Sequence, residues 1–368
     1  MIRKAILFLI CALLVLCPLA PALAETPTPV PPSPSAEPTP TPEPTATPET
    51  TATPEPTPTP EPTPEPTPDP TLAPIITLTG GDSLTVDAAF TFVDPGATAR
   101  DYLGADLTDR ITVEGAVVPY LVGEYTLTYA VADDHGHSAQ VQRTVTVVPV
   151  QLPEVVQPPE KTVYLTFDDG PGLHTATLLD ILKKYDVKAT FFIIGERNRK
   201  DLIRRAFEEG HSIGVHTYTH NYKKIYASEE AFFADFLATE EVIKAQTGQY
   251  TTIFRFPGGS GNGVSYHNRG IMTRLAKIME DMGYRYFDWN ASASDAKEGH
   301  KDWKASRYNG VIMGKLKKDG SPTVVLQHDL NVESIRALEY FIPWALENGY
   351  TFLPLDMTSP VIHSEIKN

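Results

Sequence analysis

The sequence has almost no cysteine: of its 368 residues only Cys11 and Cys17 are cysteines. Both lie in an amino-terminal segment that we expect to be removed, so a mature chain would hold no disulfide. Any metal site must then use His, Asp or Glu. Positive charge is also scarce, since 31 Lys and Arg stand against 46 Asp and Glu and the formal net charge is −15. This balance argues against a nucleic-acid-binding protein.

The first 24 residues have the pattern of a secretory signal peptide. Arg3 and Lys4 form a basic start, residues 5–16 are apolar, and the small residues at 22–24 offer a cleavage site. Proline interrupts the apolar run before it is long enough to cross a bilayer comfortably. We therefore favour a cleaved signal and a secreted or wall-associated protein of a bacterial envelope. An uncleaved anchor is the alternative, and any membrane tether would come from this segment.

Residues 25–74 are a low-complexity segment built from Pro, Thr and Glu. Such a composition cannot bury a core, and proline blocks both helices and sheet ladders. We expect a disordered, extended linker, which at ~3.1 Å per residue could reach on the order of 150 Å. It would carry the following domains away from a membrane or through a cell wall, or serve as a passive spacer.

The sequence pattern of residues 75–150 indicates a small all-β domain. Short stretches alternate apolar and polar residues, and turn signals such as "TGGD", "DPGA" and "DDHG" separate them. This pattern predicts a β-sandwich. The segment resembles the bacterial Ig-like repeats of surface proteins, and the resemblance implies a spacer or a module that adheres to wall glycan.

A second proline-rich linker spans residues 151–160, and strands then alternate with helices through residues 161–368. Seven βα steps predict a parallel sheet, either open or closed into an incomplete barrel. In such folds the chemistry lies at the carboxyl ends of the strands. On the longest helical stretch, Glu229, Glu230, Glu240 and Glu241 are interpreted as a solvated face.

Polar side chains with catalytic potential follow five of these strands. Random surface polarity would not place carboxylates, imidazoles and a guanidinium at one end of the sheet. They are Asp168, Asp169, His216, His220, Arg255, Asp288, Asp295 and His328.

The neighbours Asp168 and Asp169 repel each other at the end of a buried strand, so a cation, a metal or a shared proton must compensate them. One carboxylate with His216 and His220 would make a three-ligand metal site with an open position, as in catalytic zinc sites. A helical turn beginning at His216 would face both imidazoles the same way. Zinc is our first choice, with cobalt or another divalent ion as alternatives. A two-carboxylate glycosidase is disfavoured, because adjacent residues do not straddle a bond at ~5 to 9 Å.

The motifs "TFDDGPG", "LLDILKKYDVKATFFIIG" and "HTYTH" resemble those of carbohydrate esterase family 4, the NodB-homology polysaccharide deacetylases. The resemblance covers residues 161–355 and implies an incomplete (β/α)7 barrel. It also implies one divalent metal ion held by Asp169, His216 and His220.

The same resemblance implies the remaining roles. Asp168 would be the catalytic base, Arg255 would engage that base, and His328 would be the acid. The N–H of Gly258 would donate to the oxyanion, and Trp289 would line the substrate groove. The family's acidic motif after the fifth strand is incomplete here. We favour Asp295 as the partner of His328, with Asp288 as the alternative.

The function implied is hydrolytic removal of N-acetyl groups from a cell-envelope polysaccharide by a monomeric enzyme. Peptidoglycan N-acetylglucosamine is the favoured substrate. Chitin-like oligomers, N-acetylmuramic acid and acetylated xylan are alternatives within the family, and a non-catalytic wall-binding surface protein is the alternative outside it.

Overall fold

A computed structural model describes residues 72–88 and 90–368. The signal peptide proposed for residues 1–24 and nearly all of the linker at 25–74 lie outside the described residues. The described segments belong to one compact unit. None of the helices in these segments combines the length and the apolar character needed to cross a membrane.

The Ig-like domain contains two small sheets. One pairs β1 with β3, and the other has the order β2-β6-β5-β4. Alternate residues of the long strands, including Leu127, Tyr129 and Val145, are buried between the sheets. The predicted sandwich is thereby confirmed. The strands are β1 (Ile75–Leu78), β2 (Ser83–Asp87), β3 (Ala97–Arg100), β4 (Thr112–Glu114), β5 (Gly123–Ala132) and β6 (Ser138–Val148).

The second domain alternates strands with helices. Its strands are β7 (Thr162–Gly170), β8 (Thr190–Ile193), β9 (Ser212–Val215), β10 (Ile253–Phe254), β11 (Arg285–Tyr286), β12 (Ala291–Ser292), β13 (Thr323–His328) and β14 (Thr351–Phe352). Its helices are α1 (Thr175–Lys184), α2 (Asp201–Glu208), α3 (Tyr222–Ile225), α4 (Glu229–Thr247), α5 (Ile271–Asp281), α6 (Ala305–Lys315) and α7 (Val332–Glu347).

These strands form one parallel sheet with the order β11-β10-β9-β8-β7-β13-β12, and β14 pairs with the start of β7. Because parallel strands need crossover connections, the helices pack on the outside of the sheet. The arrangement fits the predicted incomplete (β/α)7 barrel. Short β12 and the helices α3 and α6 were not predicted from the sequence.

The two faces of the sheet bury different side chains, because successive residues of a strand point to opposite faces. In β7, Val163, Leu165 and Phe167 pack with the helices in the main core. Tyr164 points the other way and joins a small cluster inside the barrel with Val324 and four further apolar residues. Continuing that alternation along each strand determines which polar residues point into the barrel at its carboxyl end.

Helix α4 is capped at both ends by its own sequence. The side chain of Ser228 accepts a hydrogen bond from the N–H of Ala231, and Gly248 ends the helix in the left-handed conformation with φ 82°.

The interpretation of the α4 glutamates as a solvated face is wrong for Glu240, which is fully buried. Its carboxylate accepts hydrogen bonds from the Thr251 N–H at 3.2 Å and the Tyr284 hydroxyl at 3.1 Å. Burial nevertheless raises the pKa of Glu240 to about 8.

The raised pKa of Glu240 makes stability depend on pH. Folding favours the protonated carboxyl, so its contribution is complete below the unfolded pKa near 4.5 and is lost as pH rises through about 8. A Glu240→Gln variant stays neutral and avoids this loss. We expect its free energy of unfolding, relative to the wild type, to increase by at least about 1 kcal/mol between pH 5 and pH 8, the equivalent of one pKa unit. Urea unfolding at the two pH values measures this, and a pH-independent difference would contradict the assignment.

Candidate active site

The interior of the barrel ends in a layer of polar side chains. In β7, Thr166 and Asp168 continue the inward alternation that begins at Tyr164, and in β13 His328 continues the alternation from Val324. The two strands pair in register, with His328 directly opposite Asp168. The strand-end residues therefore meet by the geometry of the sheet.

Asp168 is held by a buried arginine. The Arg255 guanidinium donates from Nη1 to Asp168 Oδ1 at 2.7 Å and to Thr166 Oγ1 at 2.7 Å, and from Nε to the Phe287 carbonyl at 2.7 Å. Arg255 has no exposed surface, and its guanidinium carbon lies 4.3 Å from the centre of the Phe192 ring. A charge this deeply buried needs its partners. The arrangement fixes Arg255 and, through it, one oxygen of Asp168.

Asp169 points away from its neighbour because the strand is irregular there. The register with β8 shifts between Asp168 and Gly170, and Asp169 has a left-handed φ of 70°. The next loop packs tightly on Asp329: a Cβ at Gly170 would lie 2.7 Å from its Oδ2, and one at Gly172 would lie 2.8 Å from its Oδ1. The glycines of "GPG" thus permit the close approach of a third carboxylate that fixes the loop.

The two histidines lie on an irregular loop after β9. The conditional prediction of a helical turn starting at His216 is wrong, because the segment is not helical and Thr217 and His220 have positive φ angles of 65° and 53°. The loop still brings the ring centroids of His216 and His220 to 5.1 Å. Such backbone strain persists only where the surroundings hold it in place.

Asp169, His216 and His220 form a cluster with the chemistry of a metal site. One ligand atom from each lies within 4.8 Å of the others. Asp169 Oδ1 is buried without a hydrogen-bond partner and lies 3.5 Å from His216 Nε2 and 3.3 Å from His220 Nε2. His216 Nδ1 donates to the Arg255 carbonyl at 2.8 Å, so in the neutral ring Nε2 turns a lone pair toward the carboxylate. Burial, with a further contribution from His216, lowers the pKa of His220 to about 4, so the His220 ring is neutral near pH 7. Lone pairs that converge on an unpartnered anion fit a divalent cation.

His328 is paired with Asp295. Its Nδ1 donates to Asp295 Oδ1 at 2.9 Å and its backbone N–H donates to Asp295 Oδ2 at 2.8 Å. Burial alone would lower the pKa of His328, but the hydrogen bond and charge of Asp295, with the charges of Asp168 and Asp169, raise it to about 9. The alternative, Asp288, instead accepts hydrogen bonds from the Ser260 hydroxyl and from the Ser364 N–H.

Gly258 follows β10 in the chain and Trp289 follows β11. Gly258 has φ 80°, and a Cβ there would lie 3.2 Å from the Asn262 Cβ, so the position is suited to glycine. Its N–H donates to no protein acceptor in residues 72–88 and 90–368. Trp289 is half-buried, and its ring centre lies 5.6 Å from the Arg255 guanidinium carbon.

Three supporting residues were not predicted from the sequence. Thr166 accepts from Arg255, Ser334 donates to Asp295 Oδ2 at 3.0 Å, and Asp235 accepts from the backbone beside His220. A sequence signal existed for Thr166, which lies two residues before Asp168 and so shares its face. Asp235 is a carboxylate among the buried phenylalanines of α4, and this pattern could also have been recognised in the sequence.

Comparisons with known proteins identify the families of both domains. The family model described as polysaccharide deacetylase matches residues 156–287, and that of the bacterial surface protein Ig-like domain matches residues 76–147. YheN of Bacillus subtilis (strain 168) is 33% identical over 211 residues, 55% of this chain and 70% of its own length. A peptidoglycan-N-acetylglucosamine deacetylase of Bacillus cereus is 34% identical over 195 residues, 52% of this chain and 68% of its own.

One solved structure extends the comparison to three dimensions. The catalytic domain of peptidoglycan N-acetylglucosamine deacetylase from Eubacterium rectale ATCC 33656 is 42% identical and matches with a TM-score of 0.57. The alignment covers 59% of this chain and 98% of that domain. The resemblances to both families, inferred from sequence motifs, are confirmed. Asp295 and His328 lie beyond the segment that the deacetylase family model matches.

The Asp295–His328 pair predicts the outcome of an NMR titration. We expect Asp295→Asn to lower the pKa of the His328 imidazole, because it removes the carboxylate that favours the charged ring. The matched control is Asp288→Asn, which should leave that pKa unchanged because Asp288 hydrogen-bonds elsewhere. The reverse result, with Asp288→Asn lowering the pKa and Asp295→Asn not, would show that the pairing is wrong.

Proposed function

We propose that this chain, which belongs to the polysaccharide deacetylase family, hydrolyses N-acetyl groups of peptidoglycan with the help of a divalent metal ion. The observation that carries the proposal is the cluster of Asp169, His216 and His220 beside the Asp168–Arg255 pair. Family membership alone implies a deacetylase. The cluster supplies the carboxylate and the two imidazoles that a catalytic metal ion needs as ligands.

Asp169, His216 and His220 would hold the ion, and zinc suits one carboxylate with two imidazoles. When bound there, a divalent cation supplies Lewis-acid polarisation and lowers the pKa of water. His216 is oriented for this task by the Arg255 carbonyl, which fixes its tautomer. Arg255 thus supports both carboxylate Asp168 and imidazole His216.

In this proposal Asp168 acts as the general base. Arg255 occupies its Oδ1, which leaves Oδ2, 3.7 Å from His216 Nε2, to accept a proton from the attacking water. The new C–O bond forms at the acetyl carbon, and the carbonyl oxygen becomes an oxyanion. The free N–H of Gly258 is a candidate donor to that oxyanion, and Trp289 is a candidate for the groove wall beside it.

In this proposal His328 acts as the general acid. Its Nδ1 is occupied by Asp295, so Nε2 carries the proton that it donates to the departing nitrogen as the C–N bond breaks. The hydrogen bond and charge of Asp295 raise the pKa of this ring, which favours the protonated form that an acid needs. The products are acetate and a free amino group on the sugar.

N-Acetylglucosamine of peptidoglycan is the substrate we propose. The relative from Bacillus cereus and the domain from Eubacterium rectale both carry that activity in their names, and the bacterial Ig-like domain is consistent with a location at the cell wall. We therefore place the protein outside the cell or in the wall.

Two variants separate the base from the metal ligands. We expect Asp168→Asn to reduce kcat by at least about 100-fold, the usual contribution of a general base, while zinc affinity remains within about threefold. His216→Ala should lose both activity and zinc binding. The control is His135→Ala, an exposed histidine of the Ig-like domain that should change neither. Acetate release and competition with a chromophoric chelator give the two readouts, and an active Asp168→Asn enzyme would refute its role as base.

The substrate is tested with the full chain and purified peptidoglycan. We expect mass spectrometry of the released muropeptides to show loss of an acetyl group from N-acetylglucosamine. A chelator should abolish the change and added zinc should restore it. Acetyl loss from N-acetylmuramic acid alone, or from xylan or chitin oligomers but not peptidoglycan, would contradict the proposed substrate.

A further inference from the structure

The strained loop that carries both histidines is held by one buried carboxylate on α4. Asp235 Oδ1 accepts hydrogen bonds from the N–H groups of Tyr218 at 2.6 Å and Thr219 at 2.7 Å. Its Oδ2 accepts from the Thr219 hydroxyl at 2.9 Å and from Lys224 Nζ at 3.1 Å. These bonds lie between the two residues with positive φ, Thr217 and His220. A rigid acceptor at this point fixes the backbone that sets the distance between the imidazoles.

The Ig-like domain contacts α4 at two points. The ring of Tyr120 stacks on Phe233 with centroids 4.2 Å apart and an interplanar angle of 7°. Phe233 is fully buried and lies two residues before Asp235 on the same helix. Further along α4, Thr91 donates its hydroxyl to Glu241 Oε1 at 2.6 Å. The Ig-like domain thus contacts α4 in both its amino-terminal and its carboxyl-terminal half.

Further contacts extend this interface beyond α4. Phe90 stacks on Tyr250, just after the helix, with centroids 4.4 Å apart. Ala88 and Val147 of the Ig-like domain are buried in the same apolar cluster as the main core between the sheet and the helices of the catalytic domain. A shared buried core differs from the polar, easily separated contacts usual between independent modules. The expected spacer is therefore docked on the catalytic domain.

The connector between the domains is also tied down. The N–H of Val150 donates to the Met282 carbonyl at 2.9 Å, and Arg285 donates to the Pro153 carbonyl at 2.8 Å. A Cβ at Gly283 would lie 2.0 Å from the Val150 carbonyl oxygen, so this position requires glycine. The first residues of the linker expected at 151–160 therefore lie on the surface of the catalytic domain.

We propose that the Ig-like domain is a structural support of the metal site, acting through α4 and its positioning residue Asp235. The inference rests on the metal site proposed above. By packing on Phe233 and hydrogen-bonding Glu241, the Ig-like domain restrains α4, and Asp235 passes that restraint to the loop between His216 and His220. Removing the contact allows the loop to sample other conformations, which lowers the fraction of molecules ready to bind the ion.

The test is Tyr120→Ala in the full chain, with zinc alone as the probe. We expect the zinc Kd, from competition with a chromophoric chelator, to rise about threefold or more, in line with the coupling usual for packed networks. Hydrogen exchange of residues 217–221 and of α4 should accelerate. The matched control is Tyr102→Ala, whose ring neighbours within its own domain are His135 and His137, and it should change neither readout. Phe90→Ala provides a second variant at the interface.

A pair of substitutions tests the path through the helix. Asp235→Ala should raise the zinc Kd more than Tyr120→Ala does. Asp235→Asn should retain most of the affinity, because an amide oxygen still accepts from both backbone N–H groups. Wild-type zinc affinity and exchange in Tyr120→Ala, or in Asp235→Ala, would overturn the proposal. The failure of the metal site itself is distinct, since His216→Ala would then also leave the zinc Kd unchanged.

Discussion

Two adjacent carboxylates at the end of a buried strand must be separated and compensated, and the catalytic domain is organised around that requirement. Asp168 follows the pleat into the barrel, where buried Arg255 neutralises it at 2.7 Å. Asp169 turns away with a left-handed φ and faces two imidazole nitrogens that offer lone pairs. The charge of Asp168 is compensated by Arg255, whereas Asp169 Oδ1 is buried without a hydrogen-bond partner and is suited to a cation. This difference in environment gives identical side chains different chemistry.

The site depends on parts of the chain that contribute no reacting group. Parallel pairing of β7 with β13 sets His328 opposite Asp168, and the glycines after Asp169 admit the carboxylate of Asp329. Asp235 accepts a hydrogen bond from the backbone of the loop that carries both histidines, and the Ig-like domain packs on the helix that carries Asp235. The surface module and the reacting groups thus belong to one continuous structure, in which precision at the centre depends on packing outside it.

Much of the fold and the clustering of the site could be predicted from the sequence, because period-two alternation and the strand-end rule determine where Asp168, Arg255 and His328 point. Features set by tertiary contacts could not. The two-residue strand β12 is too short to produce a pattern, and the histidines converge through a strained loop where a helix was considered. Glu240 precedes the exposed Glu241 in sequence, yet Thr251 and Tyr284 donate hydrogen bonds to it in the core. The stacking of Tyr120 on Phe233 joins distant segments and leaves no local signal.

The central claim is that one divalent cation binds between Asp169, His216 and His220, with Asp168 alongside. Anomalous diffraction at the zinc edge, from crystals of the full chain grown with zinc, tests this most directly. The account predicts a single strong peak about 2.0–2.2 Å from one Asp169 oxygen and from Nε2 of each histidine. Zinc bound elsewhere with no peak at this cluster would contradict it.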